Sequence, residues 1–197
     1  MWATDASYFR VCGWGFYYLV TVMDDFSRFI TAWRLQRDMT SDSFIEVVQD
    51  AVDLTGMTAI PWEHRTRLPS DNGPGYISRS FGAYLRLVGI RHILASPFHP
   101  QTNGKLERYH RTIKLDVNQI PYDVPGNLEV AITDFVNYNN NRRYQKALEN
   151  VTPSDRLDGR REQILQKRKE VQTQTFQRRR LDNQHLRKLA QSARNFH

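Results

Sequence analysis

Cysteine is almost absent from the sequence, and long apolar runs are missing altogether. Cys12 is the one cysteine among 197 residues, which excludes an internal disulfide and any zinc site built from several thiolates. We expect its thiol to be an inert, small apolar side chain in a reducing compartment. No stretch approaches the roughly eighteen apolar residues of a membrane span, and the first residues do not resemble a secretory signal. The sequence therefore predicts a cytoplasmic protein with no membrane partner.

Internal repeats and a linker rich in glycine and serine are also missing. The hydrophobic content of 40% is enough for one core. Basic charge is concentrated at the end: residues 159–197 hold eleven Lys and Arg against three acids, leaving 17 basic and 18 acidic residues in 1–158. We expect one domain over 1–157 and a basic, helical extension over 158–197. This extension either attracts a polyanion such as nucleic acid or is an ordinary solvated helix face.

The first third of the chain has the composition of β-strands. Residues 3–10 form a short mixed run, and residues 16–23 and 29–35 are rich in aromatic and β-branched side chains. The polar residues 24–28 separate the second and third runs. This pattern predicts an antiparallel hairpin, extended by the first run to a three-stranded meander.

Apolar residues at helical spacing predict four helices in the rest of the domain. The first has a Ser43-x-x-Glu46 capping box and stops at Gly56. The others are expected at residues 81–88, 105–117 and 128–141. Short strands are expected at 65–70 and 90–95, and the two prolines of residues 96–104 predict a loop there.

Three acids lie at the ends of these predicted elements. Asp5 is in the first strand, Asp71 follows a short strand, and Glu107 is in the first turn of the third helix. Carboxylates are the ligands that hard divalent ions prefer, and two such ions about 3.5–4 Å apart serve phosphodiester chemistry. Each acid also has an ordinary explanation: a strand-edge surface residue for Asp5, a turn residue for Asp71 and stabilisation of the helix dipole for Glu107.

Several phrases occur together with these acids in a fixed order. They are Trp2-Ala3-Thr4-Asp5, Ser70-Asp71-Asn72-Gly73 and the run His99-Pro100-Gln101-Thr102-Asn103-Gly104-Lys105-Leu106-Glu107-Arg108, with 35 residues between Asp71 and Glu107. Tyr138-Asn139-Asn140-Asn141-Arg142-Arg143 and Thr152-Pro153 follow. Over about residues 1–157, the chain resembles the integrase catalytic cores and DDE transposases of the retroviral-integrase-like superfamily, in particular bacterial insertion-sequence transposases.

This resemblance implies an α/β, ribonuclease-H-like fold: a five-stranded mixed sheet flanked by helices. It also implies a metal-dependent polynucleotidyl transferase whose catalytic residues and metal ligands are Asp5, Asp71 and Glu107. The cofactors would be two Mg²⁺ ions, with Mn²⁺ as a substitute. The partners would be DNA, as transposon ends and target, and further copies of the chain, at least as a dimer. A bacterial, nucleoid-associated location follows.

The third helix carries polar residues on the side opposite its apolar positions. We expect DNA contacts from this face and from the loop after Asp71; the residues are Asn72, Lys105, His110, Arg111 and Lys114. A solvated helix face is the alternative. Neither His99 nor His110 is expected to bind metal, since a magnesium site prefers oxygen.

Two rival functions stay open. One is a catalytically idle transposase remnant that binds DNA or dimerises. The other is a ribonuclease-H-type nuclease, which shares the carboxylates but gives no reason for the Pro100–Lys105 phrase. Family members usually carry a DNA-recognition domain before the first acid, and this sequence starts close to Asp5. We therefore expect that recognition of specific transposon ends, and autonomous transposition, require a DNA-recognition domain or a separate polypeptide in addition to this sequence.

Overall fold

The first three strands form an antiparallel meander. In the computed structural model, which describes residues 1–94 and 104–194, β1 (Trp2–Val11) pairs with β2 (Gly15–Asp24), and β2 with β3 (Ile30–Gln36). The predicted meander is confirmed. Residues 12–14 form an exposed turn between β1 and β2. Cys12 lies in this turn and is exposed; that its thiol is inert stays a prediction.

Two further strands form a separate parallel pair. β4 (Arg67–Ser70) pairs with β5 (Arg91–Leu94), and β4 lies beside β1. The five strands of the described residues are therefore found in two sheets instead of the single mixed sheet that the resemblance implies. Pro69, in the middle of β4, has no N–H to donate, which weakens any hydrogen-bond ladder from this four-residue strand to β1.

The described residues of the first compact unit, which ends at Leu157, also form five α-helices. They are α1 (Ser41–Thr55), α2 (Arg79–Leu87), α3 (Gly104–Val117), α4 (Pro125–Asn141) and α5 (Pro153–Leu157). The positions of α1 to α4 confirm the predicted helices. Residues 95–103, which hold most of the predicted loop, lie outside the described residues.

The start of α1 differs from the predicted capping box. Thr40 is the N-cap, and its side chain accepts a hydrogen bond from the backbone N–H of Ser43. Glu46 does not reach back to the cap, because its carboxylate pairs with Arg34 of β3 at 3.1 Å. The predicted stop at Gly56 is confirmed by its left-handed conformation, with φ at 61°.

The meander buries side chains on both faces, because successive residues of a strand point to opposite sides. Val20 and Val22 face the cluster that contains α1, α2 and β4, whereas Leu19 and Met23 face the cluster that contains α3 and α4. Each helix of these layers buries one apolar side, as the helical spacing predicts. β1 is thereby placed between the loop after β4 and helix α3, which carry the other two acids.

The second unit consists of the residues from Asp158 onward. Its one described element is the 34-residue helix α6 (Arg161–Arg194). Its apolar side chains at Val171, Phe176, Leu181 and Leu186 are exposed. Within the described parts of the chain, no helix is both long and apolar enough to cross a membrane.

Candidate active site

Asp5 lies in the middle of β1, with its carboxylate half-buried. The Oδ1 atom accepts a hydrogen bond from the backbone N–H of Ala6 at 2.8 Å, and Oδ2 lies 3.3 Å from Nδ1 of His110. The other ring nitrogen of His110 is hydrogen-bonded to Thr21 Oγ1 on β2 at 3.1 Å. His110 thus connects helix α3 to both strands and fixes the orientation of the Asp5 carboxylate.

Asp71 is the first residue after β4 and is exposed. Its Oδ1 atom accepts a hydrogen bond from the backbone N–H of Gly73 at 2.9 Å. This is the geometry expected if Asp71 is a turn residue. Gly75 then passes so close to α1 that an added Cβ would lie 2.5 Å from a ring carbon of Phe44. The loop is therefore held against the core by backbone proximity.

Tyr76 anchors this loop to β1. Its side chain is 1% exposed and stacks on Phe44 with ring centroids 4.1 Å apart, and its hydroxyl is hydrogen-bonded to Thr4 Oγ1 at 3.0 Å. Burial raises the pKa of Tyr76, and the negative charges of Asp5 and Asp71 raise it further. The hydroxyl is therefore neutral and lies within electrostatic reach of both carboxylates.

Glu107 lies in the first turn of α3 and is exposed. It lines an open pocket of about 510 Å³ together with Asp5, His110, Arg111 and Lys114. Two acids that are 102 positions apart in the sequence therefore border one space. This pocket also presents two cations to any anion that enters it.

The three acids are brought together in pairs. Asp5 shares a pocket with Glu107, and Asp5 and Asp71 both act on the Tyr76 hydroxyl. Among the described residues, however, no group of three His, Cys, Asp or Glu side chains is close enough to hold a metal ion. Carboxylate oxygens are suitable ligands for a hard divalent ion, so Asp5, Asp71 and Glu107 fit such an ion chemically. In the described conformation, however, these three side chains do not surround a metal site.

Two of the residues predicted to contact DNA lie elsewhere than expected. His110 lines the pocket of Glu107 but is only 6% exposed, because its ring is packed against β2 and hydrogen-bonded to Thr21, so the expectation of an exposed side chain is wrong. Lys105 pairs with Asp25 at 2.8 Å and lines a different pocket from that of Glu107. Arg111 and Lys114 do line the pocket of Glu107, and Asn72 is exposed in the loop after Asp71.

Comparison with known proteins identifies the family. The family model described as the integrase core domain matches residues 1–100, and a second model with the same description matches residues 88–153. The chain belongs to the integrase core family. This integrase core is 30% identical over 120 residues, 61% of its length, to the Gag-Pro-Pol polyprotein of squirrel monkey retrovirus. It is 38% identical over 116 residues, 55% of its length, to the Retrovirus-related Pol polyprotein from transposon TNT 1-94 of Nicotiana tabacum.

The chain spans only 6% and 8% of the length of these two relatives. Among solved structures it is similar to the catalytic core domain of HTLV-2 integrase in complex with magnesium, with a TM-score of 0.61 and 20% identity over 79% of this chain and 93% of that one. The catalytic core of BIV integrase gives a TM-score of 0.59 at 17% identity, covering 83% and 97%. These likenesses show the ribonuclease-H-like α/β fold.

Sequence reasoning missed several residues that build the site of this integrase core. Thr4, Thr21 and Tyr76 are buried. The hydroxyls of Thr4 and Tyr76 join β1 to the Asp71 loop, and the hydroxyl of Thr21 joins β2 to His110 of α3. Ser70, next to Asp71, is hydrogen-bonded to His92 of β5 at 2.8 Å. Successive residues of a strand point to opposite faces of the sheet, so Thr4 and Asp5 of β1 lie on different faces. This alternation was the available sequence signal that Thr4 is a buried polar residue next to the acid.

Proposed function

We propose that this chain catalyses the cutting and joining of DNA strands, with Asp5, Asp71 and Glu107 holding two Mg²⁺ ions. The observation that carries the proposal is the shared pocket of Asp5 and Glu107, which is bordered by Arg111 and Lys114. Carboxylates and cations side by side are what a site needs if it is to hold metal ions and a phosphodiester at once. Membership of the integrase core family supports the same reaction class.

Each residue has a separate role in this proposal. Two divalent ions supply charge neutralisation at the entering and leaving oxygens of a phosphodiester. Asp5 is oriented by the Ala6 N–H and by His110, so that its carboxylate is fixed before DNA binds. Arg111 and Lys114 bind phosphate oxygens of the DNA end. Water or a DNA 3′-hydroxyl attacks phosphorus, the opposite P–O bond breaks, and the departing oxygen takes up a proton.

The described positions of the acids imply a closing movement on binding. Asp71 is in an exposed loop and Glu107 is in the first turn of a helix, so both can approach Asp5 without unfolding the core. Solved relatives are described as a complex with magnesium and as an intasome. These descriptions support Mg²⁺ as the cofactor, DNA as the substrate, and assembly of at least two copies.

A labelled branched DNA substrate with Mg²⁺ or Mn²⁺ tests the proposal. We expect strand transfer or its reversal, abolished in D5N and E107Q and retained in D25N, which removes an acid outside the pocket. Cleavage of RNA strands alone would instead indicate a ribonuclease. Transfer at the wild-type rate in D5N would contradict the assignment of the acids.

A second function has its own support. No metal-holding group of three is formed among the described side chains, and the described part of the unit from Asp158 onward is mainly a long helix that carries basic residues. Both are expected of an idle transposase remnant that binds DNA or dimerises. DNA binding with no metal-dependent activity would favour this alternative.

A further inference from the structure

A second pocket lies on the other side of helix α3, away from the acids. It has a volume of about 370 Å³ and is built from the turn after β2, from α3 and from the segment that follows α4. Its cationic lining residues are Arg28, Lys105, Arg108, Arg143 and Lys146. No Asp or Glu is found among the described residues that line it. The pocket is therefore strongly positive although the first unit is nearly neutral as a whole.

The cations of this pocket are close together and largely uncompensated. Burial lowers the pKa of Arg28, and the positive charge of Arg108 lowers it further, while the nearby carboxylate of Asp25 offsets part of this effect. Lys105 is paired with Asp25, whereas Arg28, Arg108, Arg143 and Lys146 form no ion pair with the described carboxylates. Like charges gathered in a concave site favour the entry of an anion.

The unpartnered hydroxyl of Tyr109 is a second observation that favours an anionic ligand. Tyr109 lines the pocket and is 7% exposed, yet its hydroxyl is the one buried side-chain polar atom of the described residues without a hydrogen-bond partner. A buried hydroxyl without a partner is unfavourable, and such atoms call for a specific explanation. A phosphate oxygen would accept a hydrogen bond from it.

The framework of the pocket is rigidly built. The side-chain amide of Asn140 at the end of α4 both donates to and accepts from the backbone of Ile30, with both distances 3.0 Å. Arg28 has a positive φ of 61°, an unfavourable conformation for a residue other than glycine, and its guanidinium donates to Gln145. Strained backbone that positions a charged side chain is common at functional sites.

We propose that this pocket binds a phosphate of the DNA backbone, as a contact separate from the site of cutting and joining. Helix α3 carries Glu107 on one side and Arg108 and Tyr109 on the other, so one DNA molecule can reach both sites across the helix. The choice of DNA as the source of the phosphate rests on the proposed function. The preference for a phosphate rests on the pocket alone.

Fluorescence anisotropy with a labelled duplex, in EDTA and over a range of salt concentrations, tests this proposal on the full chain. The variant R143Q/K146Q is compared with R86Q/R91Q, which removes two exposed cations outside the pocket. We expect the first to weaken binding about tenfold at low salt and to reduce the salt slope by about 1–2, and the control to do much less. Equal losses in both variants would show that only net charge matters and would overturn the proposal.

Y109F removes the unpartnered hydroxyl alone. We expect DNA binding about two- to fivefold weaker, with a melting temperature that is unchanged or higher, because no hydrogen bond to a described residue is lost. Wild-type affinity in Y109F would contradict the assigned contact. If inorganic phosphate raises the melting temperature of the wild type but the pocket variants bind DNA normally, the site takes a free anion and the DNA contact is refuted. Because these measurements need no metal, failure of strand transfer would bear only on the proposed function.

Discussion

The hydrogen bond between Tyr76 and Thr4 ties the segment that carries Asp71 to the strand that carries Asp5. Both side chains are buried, and their oxygens are 3.0 Å apart. Removing one hydroxyl, as in Y76F or T4V, leaves the other buried without this partner, which costs about 1–3 kcal/mol of the free energy of unfolding. Removing both in T4V/Y76F leaves no orphan, so the loss is expected to be well below the sum of the single losses.

Denaturant unfolding of the four proteins measures this coupling directly. A loss of 1 kcal/mol corresponds to a fall of about 2–4 °C in melting temperature for a unit of this size. Y122F is a matched control, since the Tyr122 hydroxyl donates to the backbone of Val117 at 2.8 Å, away from the acids. We expect Y122F and Y76F both to lower stability but only Y76F to lower strand transfer. Additive losses, or equal activity in Y76F and Y122F, would refute the reasoning.

Three further predictions follow from the site. G75A should destabilise the protein by about 1–3 kcal/mol, because the added Cβ would overlap the core; G126A, in the first turn of α4 with open space around it, should be neutral or stabilising in the same melting assay. Burial lowers the pKa of His92 in the folded protein. As the pH falls, the unfolded chain therefore takes up a proton on this histidine at a higher pH than the folded protein does. Stability should therefore fall as the pH drops below about 6.5, and thermal melts should show a smaller fall in H92N. H110A should lower both stability and Mn²⁺ affinity, and H110Q should recover part of the affinity if His110 orients Asp5; equal affinity in H110A and wild type would contradict that role.

Local sequence pattern predicted the elements well because each helix is amphipathic in its own right and the strands are rich in aromatic and β-branched residues. The meander and helices α1 to α4 appear where the aromatic and β-branched runs and the helical spacing placed them. The N-cap of α1 was mispredicted because both Thr40 and Ser43 are suitable N-cap residues. Thr40 is the N-cap, and Glu46 pairs with Arg34 of β3, a long-range contact that the local sequence does not reveal. A single five-stranded sheet was expected from resemblance, and the proline in β4 was the available warning.

The site was harder to predict because it depends on long-range contacts. Asp5, Asp71 and Glu107 could be named from their phrases and spacing, but their separation in space could not. His110 was assigned to an exposed face by helical periodicity, whereas a hydrogen bond to Thr21, 89 positions away, buries it. Tyr76 and Tyr109 resemble ordinary core aromatics in the sequence. Only the fold shows that the Tyr76 hydroxyl joins two acid-bearing segments and that the Tyr109 hydroxyl has no partner in the described part of the chain.

The claim on which the proposed function depends is that three distant carboxylates hold divalent ions together. Titration of Mn²⁺ with detection of the free ion by electron paramagnetic resonance tests this without any catalysis. We expect binding by the full chain in the presence of a DNA end, weakened roughly tenfold or more in each of D5N, D71N and E107Q, and unchanged in D25N. Equal Mn²⁺ affinity in all five proteins would contradict the shared metal site.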